Sequence, residues 1–317
     1  MILNRTKFKD YKNLKLGTRI INNTSSKISR LILVFLLLFS VHLVSGQQEE
    51  KTHKCIMVFG AHADDVESLA GGTFAKYIAM GYEGIYVDVI NNLAGCNLEK
   101  TPYFKGALPF TISNSPHAYP VDALETSQIR EEEALKAAAV FGARPVFLNY
   151  KEPWFSMGRK RIDYGTKLYG QYAPPGRPLI ALATIMSKEV NFVLDLLKLH
   201  KPEIVIIHTL GGEKLDHGNA AYIAYLAFKK AIDQKIPVGK LWMAVRGWFS
   251  EKYAQENERG KPDILIDVKD FLKTKYVAYN KHISQNGGFG RDYVLSNRKK
   301  NYNDEVEEFI TVIDNSK

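Results

Sequence analysis

Short apolar runs alternate along this chain with longer segments of helical spacing, and each run stops abruptly at a small residue or a polar turn. The first, Cys55-Ile56-Met57-Val58-Phe59, ends at Gly60-Ala61 and is followed by the dense polar cluster His62 to Glu67. Glu67 to Met80 then reads as a helix with Leu69, Phe74, Tyr77 and Ile78 on its buried side and Gly71-Gly72 allowing close approach to the sheet. A second strand, Gly84 to Ile90, ends in Asn91-Asn92-Leu93-Ala94-Gly95-Cys96. Ser127 to Phe141 predicts a helix with Ile129, Leu135, Ala138 and Phe141 as its apolar side, stopped by Gly142. Pro145 to Asn149 is a third strand, Ile180 to His200 a helix closed by Pro202, and Glu203 to His208 a fourth strand. Its turn, Thr209 to Asn219, hands over to a helix from Ala220 to Ile232. Lys240–Val245, Asp263–Val268 and Glu307–Ile313 read as further strands, with a helix from Asp270 to Gln285.

Strand, helix and strand in this order make parallel units, so the expected fold class is α/β, with a mostly parallel sheet and additional C-terminal strands. Two segments break the alternation. Asn97 to Glu125 has Pro, Gly and Asn without a sustained period and reads as a long loop over the site edge. Tyr150 to Arg177 is an excursion rich in aromatic and basic residues, including Trp154, Phe155, Tyr164, Tyr169 and Tyr172; such rings either stack on sugars or pack the loop onto the domain. Gly287-Gly288-Phe289-Gly290 lacks the Lys-Ser/Thr of a phosphate loop and reads as a flexible turn.

Charge changes the picture at the start of the chain. Of the formal net charge of +9, residues 1–30 contribute +7, residues 31–46 hold no acidic or basic residue, and residues 47–317 contribute +2. The basic character belongs to the leader, which leaves no electrostatic case for nucleic-acid binding. A charged stretch ending at Arg30, the fourteen apolar-rich residues Leu31 to Val44, and Ser45-Gly46 describe a secretory signal over 1–46. The core is short for a membrane span, which favours cleavage near Gly46 and a secreted, periplasmic or envelope location. The long basic segment also fits a start downstream of Met1, or an uncleaved signal anchor, the one route to a membrane. Residues 47–317 are then a single domain. Cys55 and Cys96 are read as free thiols, Cys55 in the first strand as a small buried residue.

Candidate chemistry gathers at two strand ends. His62 and Asp65 stand three residues apart where the first strand meets a helix, and His217 sits at the same topological address after the fourth; ligands of open α/β sheets bind there. Taken singly, each has a plainer reading: Asp64 or Asp65 as a helix cap, His217 as a structural histidine. Together His62, Asp65 and His217 form a two-histidine, one-carboxylate set that suits zinc and leaves coordination positions open, although another divalent metal would also be accepted. Asp216 is placed to orient His217 from behind. Asp64 is free to take a proton from an activated water.

Ala61-His62-Ala63-Asp64-Asp65-Val66-Glu67, Leu215-Asp216-His217, Arg130-Glu131-Glu132-Glu133 and Ala278 to Gln285 together resemble the PIG-L/LmbE-like zinc-dependent de-N-acetylase family. The resemblance implies a Rossmann-like three-layer sandwich, His62, Asp65 and His217 as metal ligands, and Asp64 as general base. This chain departs from the family's usual motifs in three places: Ala63 stands for proline, Val66 for glutamate with Glu67 one place later, and Lys214 for the histidine that helps hold the oxyanion. Lys214 is the candidate for oxyanion stabilisation, His282 for a substrate contact or auxiliary acid, and Arg130 for a substrate contact or a partner of the glutamates on its own helix.

The expected function is that of an exported metal-dependent amide hydrolase removing an N-acetyl group from an N-acetylated amino sugar or its conjugate, a small molecule or a glycan. The alternatives are a zinc amidase or acyl hydrolase acting on a non-sugar amide, and a non-catalytic envelope carbohydrate-binding protein on the same fold. Retention of Asp64 argues against the binder, which needs no general base; Lys214 argues mildly for it.

Overall fold

The computed structural model describes residues 54–93, 123–157, 160–173, 176–210, 215–245, 261–286 and 303–316. The leader, Cys96, residues 97–122 of the expected long loop, Lys214 and the Gly287–Gly290 turn lie outside the described residues. No helix of the described residues is long and apolar enough to cross a membrane.

In chain order the elements are β1 (Cys55–Gly60), α1 (Asp65–Ala79), β2 (Glu83–Ile90), α2 (Ala123–Phe141), β3 (Arg144–Tyr150), β4 (Trp154–Met157), β5 (Lys160–Asp163), α3 (Lys167–Tyr172), α4 (Ile180–Ala183), α5 (Ser187–His200), β6 (Ile204–Ile207), α6 (Leu215–Asp233), β7 (Lys240–Ala244) and β8 (Ile264–Asp267). After a 3-10 turn (Lys269–Phe271) come α7 (Leu272–Tyr279), α8 (Ile283–Asn286) and β9 (Val306–Asp314).

The main sheet runs in the order β3-β2-β1-β6-β7-β9-β8. The pairs β1–β2, β2–β3, β1–β6 and β6–β7 are parallel, and β9 is antiparallel to both of its neighbours. This is the expected α/β architecture with the C-terminal strands β9, antiparallel to the rest, and β8 added at one edge. From β1 the chain builds β2 and β3 to one side and then returns to place β6 and β7 on the other. The reversal falls between the carboxyl ends of β1 and β6, where an open sheet leaves its crevice. Register makes these ends coincide, since Val58 pairs with Ile206.

Successive side chains of a strand point to opposite faces, and both faces of β1 are buried. Met57 and Phe59 join Val205, Ile207, Val193, Leu197, Ala224 and Phe228 in one layer. Ile56 and Val58 join Ile206, Tyr86, Leu69, Phe74, Ala134, Ala138 and Ala278 in the other. Cys55 is a free, buried thiol; burial first, then the neighbouring Glu83, push its pKa up to about 12, so it stays protonated.

Several boundaries differ from the periodicity for identifiable reasons. The helix expected over 180–200 is broken at Thr184–Met186, and Leu182 and Ile185 are exposed there, while Val193, Leu194 and Leu197 are buried. The helix expected over 270–285 is likewise two helices, with His282 in the gap. In α2, Leu135 faces solvent and the small Ala134, Ala137 and Ala138 make the buried side. The 150–177 excursion holds the β4–β5 hairpin and α3, and its aromatics Phe155 and Tyr169 pack with Ile162 against Leu93. Trp154 is covered by the Arg161 guanidinium, 4.9 Å from its ring centre.

Helix α1 carries a kink at Ala70 (φ −153°), which frees backbone donors of the following turn. Glu307 of β9 accepts from the N–H groups of Gly72 (2.9 Å) and Thr73 (2.7 Å), and the buried Lys275 of α7 donates to the same carboxylate at 2.7 Å. Gly71 and Gly72 allow close approach, as expected, but of Lys275 and Val268 and not of the central strands. A Cβ on Gly72 would lie 2.5 Å from Val268 Cβ.

Candidate metal centre and active site

The turn from β1 to α1 is tight because Gly60 precedes it: a Cβ there would meet His62 O at 3.0 Å and Asp65 Cβ at 3.1 Å. Asp64 occupies the N-cap position of α1 without a side-chain capping bond. Asp65 Oδ2 accepts the His62 N–H at 2.9 Å. The capping alternative for Asp64 therefore does not hold, and its carboxylate instead accepts from Arg130 Nη2 at 3.1 Å. Arg130 is buried on α2, and Asp64 is among its partners.

His217 comes from the first turn of α6, which begins at Leu215, five residues before the start expected from periodicity. Three donor atoms converge from the two strand ends. His62 Nδ1 lies 3.2 Å from His217 Nε2 and 3.5 Å from Asp65 Oδ2, and His217 Nε2 lies 3.6 Å from Asp65 Oδ2. Tetrahedral zinc, with bonds of about 2.0–2.1 Å, spaces its donors roughly 3.3–3.4 Å apart, so this triangle fits the ion.

Around the triangle lie carboxylates. His62 Nε2, on the far side of the ring, faces Glu152 Oε1 and Asp216 Oδ2, each at 3.6 Å. Asp216 Oδ1 also accepts the backbone N–H of His217 at 2.9 Å, so it braces both strand-end histidines. Burial resists charge on His62, but Asp65, Glu152 and Asp216 outweigh it and lift its pKa to about 9. A cation held in the triangle would compete with a proton for His62 Nδ1, so its occupancy would be pH-dependent.

At these strand ends two further groupings meet the geometry of a cation site: His62 with Asp216 and His217, and Asp65 with His208 and His217. His208 and Glu152 are residues that the motifs did not single out. His208 follows β6, its Nε2 accepts the Ala61 N–H at 2.9 Å and lies 3.2 Å from Asp65 Oδ2, and its ring packs on His217 with centroids 4.4 Å apart. A polar residue ending the apolar run Ile204-Val205-Ile206-Ile207 was the available signal, and Glu152 just after β3 carries the same one.

The remaining candidates are distributed behind the turn. His282 is fully buried and stands 3.3 Å from Glu67 Oε1, a distance within ion-pair range but without hydrogen-bond alignment. Burial opposes its charge, but Glu67, with Asp64 and Glu133, more than offsets that, so its pKa is raised. Glu67, the displaced motif glutamate, also accepts from Tyr86 Oη at 3.2 Å, while Val66 is buried in the core. Ala63 has the N–H that a proline would lack, and donates it to Asn92 Oδ1 at 2.9 Å. Glu133 accepts from the N–H (2.8 Å) and hydroxyl (2.6 Å) of Ser284, tying α2 to α8.

Asp88, fully buried, accepts from Asn92 Nδ2 at 2.6 Å. Burial pushes its carboxyl up to about 8, against the opposing pull of that hydrogen bond and of Arg130. A folded pKa above the unfolded value near 4 means that the stability associated with its proton is complete below about pH 4 and is lost as pH rises through about 8. Asp88→Asn, which keeps an acceptor for Asn92, is expected to raise the melting temperature by on the order of 5 °C at pH 8.5 and by less at pH 5. Thermal unfolding of both proteins across that range checks it; an equal shift at both pH values would contradict it.

The family described as PIG-L, GlcNAc-PI de-N-acetylase, matches residues 57–228, more than half of the chain. The chain belongs to the PIG-L family. Among solved structures, N,N'-diacetylchitobiose deacetylase from Pyrococcus horikoshii aligns with a TM-score of 0.50 at 18% identity, over 93% of this chain and 95% of that one. A deacetylase of the teicoplanin biosynthesis pathway aligns with a TM-score of 0.52 at 15% identity, over 81% and 98%. A 4-carboxy-2-hydroxymuconate hydratase from Pseudomonas putida gives a TM-score of 0.51 at 17% identity, over 83% and 97%. At such identities the PIG-L protein shares with these structures its three-layer fold, and a hydratase among them shows that the fold alone does not set the reaction.

Proposed function

We propose that this PIG-L protein is an exported, zinc-dependent hydrolase that removes the N-acetyl group from an N-acetylated amino sugar or a conjugate of one. The observation that carries the reading is the triangle of His62 Nδ1, Asp65 Oδ2 and His217 Nε2, with edges of 3.2–3.6 Å, beside an Asp64 that caps nothing. Export rests on the leader at 1–46, and the sugar class on the family and on the deacetylases that share the fold.

His62, Asp65 and His217 would hold zinc, which when bound would supply a water acidic enough to ionise near neutral pH and positive charge toward the amide oxygen. Asp64 accepts the proton of that water and delivers it to the departing amine nitrogen, as one positioned carboxylate can do in both directions. Arg130 fixes the direction in which Asp64 points, through the 3.1 Å contact. Lys214, three residues before His217 in the sequence, offers positive charge to the oxyanion. His282, expected from sequence as a substrate contact or auxiliary acid, is fully buried and acts from behind the turn through Glu67.

The test is acetate release by the zinc-loaded protein from a panel of N-acetylated amino sugars, their glycosides and simple N-acetyl amides. Sugar substrates are expected to be turned over at least about 100-fold faster, measured as kcat/KM, than the simple amides, a gap of roughly 2.7 kcal/mol in transition-state stabilisation. Comparable rates on both would move the assignment to a general amidase. Saccharide binding with zinc present and no acetate release would move it to a binding protein.

A further inference from the structure

Three successive backbone N–H groups of the β1–α1 turn are each held by a side chain, and the three side chains come from different places. Ala61 donates to His208 after β6, His62 donates to Asp65 of the turn itself, and Ala63 donates to Asn92 after β2. The turn that presents His62 and Asp65 is thus gripped from both neighbouring strands. Asn92 is the more specialised of the two outside grips. Its φ of 57° lies in the left-handed region, which few residues other than glycine enter readily and asparagine tolerates best. That conformation sends its amide back across the strand end, where Oδ1 reaches Ala63 N at 2.9 Å while Nδ2 donates to Asp88 Oδ2 at 2.6 Å and to Ile90 O at 3.0 Å. Every polar atom of the amide is used, and both Asn92 and Asp88 are buried. Ala63 N–H, which can only donate, and Ile90 O, which can only accept, settle which end of the amide is the oxygen.

We propose that Asn92 is a positioning residue for the metal centre: by accepting the Ala63 N–H it holds the His62–Asp65 turn in ligand geometry before a cation binds, and so raises zinc affinity without being a ligand. This rests on the zinc reading given above. A loop already ordered in its bound shape loses less conformational freedom on binding, and groups that orient ligands from behind typically change metal affinity by about 10–100-fold.

The test uses the full chain and two readouts, zinc affinity by competition with a chromogenic chelator and hydrogen exchange at the Ala63 amide. Asn92→Gly keeps the left-handed backbone and deletes the whole amide, the acceptor for Ala63 together with the donors to Asp88 and Ile90. It is expected to bind about one zinc per chain at saturation but at least about 10-fold more weakly than the parent, with faster exchange at Ala63. The exchanged pair Asp88→Asn with Asn92→Asp conserves charge and keeps an acceptor facing Ala63, and is expected to bind zinc within about 3-fold of the parent. Parent-like affinity and exchange in Asn92→Gly would overturn the proposal, as would an exchanged pair as weak as the glycine variant. If the glycine variant does not fold, the parent alone decides: an Ala63 amide that exchanges as fast as an unprotected one overturns it. A parent that takes up no zinc is a failure of the zinc reading itself, and the exchange result, which needs no metal, tells the two failures apart.

Discussion

His217→Ala is expected to leave the protein folded but nearly without zinc, falling from about one ion per chain to less than about 0.1 after equal reconstitution, and to lower acetate release by a factor on the order of 1,000 or more. The reason is that His217 Nε2 belongs to every donor arrangement at the strand ends: the triangle with His62 and Asp65, the set with His62 and Asp216, and the set with Asp65 and His208. Catalytic zinc is held by three protein ligands. Loss of one of the others leaves room for Asp216 or His208 to substitute, whereas loss of His217 removes the vertex that all three sets share. Metal analysis of parent and variant, with far-ultraviolet circular dichroism to verify folding, checks the prediction. Full zinc occupancy in His217→Ala would mean that the ion sits on another set of residues, and the hydrolase assignment would lose its foundation.

Asp64→Asn is expected to separate metal from chemistry. The variant keeps zinc at the parent level and loses about 100- to 10,000-fold in kcat, the range in which a positioned proton-transfer group acts. Asparagine preserves the size of the side chain and an oxygen that Arg130 can donate to, so the 3.1 Å contact has a successor, but an amide cannot take up a proton from water. Zinc content and kcat measured on the same preparation make the comparison. Unchanged turnover with zinc present would remove Asp64 from the proton path. A loss of zinc in parallel with activity would make it part of the metal's support.

The parallel core was legible because each apolar run ended in a polar turn, and the site's location followed from two such turns at equivalent strand ends. The residues alone left Asp64 and Asp65 open between capping and chemistry. The resemblance to a family chose chemistry, and the bond from Arg130 to Asp64 gives that choice a physical basis. What periodicity could not register were the breaks. Ile185 and Met186 continue the apolar pattern across the end of α4, yet Ile185 is 79% exposed, so composition there imitates a helix that the chain does not form. His282 had the same disguise, lying at the gap between α7 and α8 inside what reads as one helical segment. Contacts set by topology were invisible for a different reason. His208 and Asn92 matter through hydrogen bonds to the β1 turn 147 and 29 residues away, and nothing local distinguishes such a residue from an ordinary strand end.

The carboxylate that completes the kinked helix α1 belongs to Glu307, 235 residues beyond the Gly72 amide it accepts from. During synthesis the segment carrying His62, Asp64 and Asp65 emerges early, and the anchor of its helix emerges near the end of the chain. Domains fold as units as they are made, and contacts this distant in sequence are slow to form. The turn that carries His62 and Asp65 therefore acquires its final support only once β9 has been made and has joined the sheet, which places the maturation of the site after translation of Glu307, however early those residues are in hand.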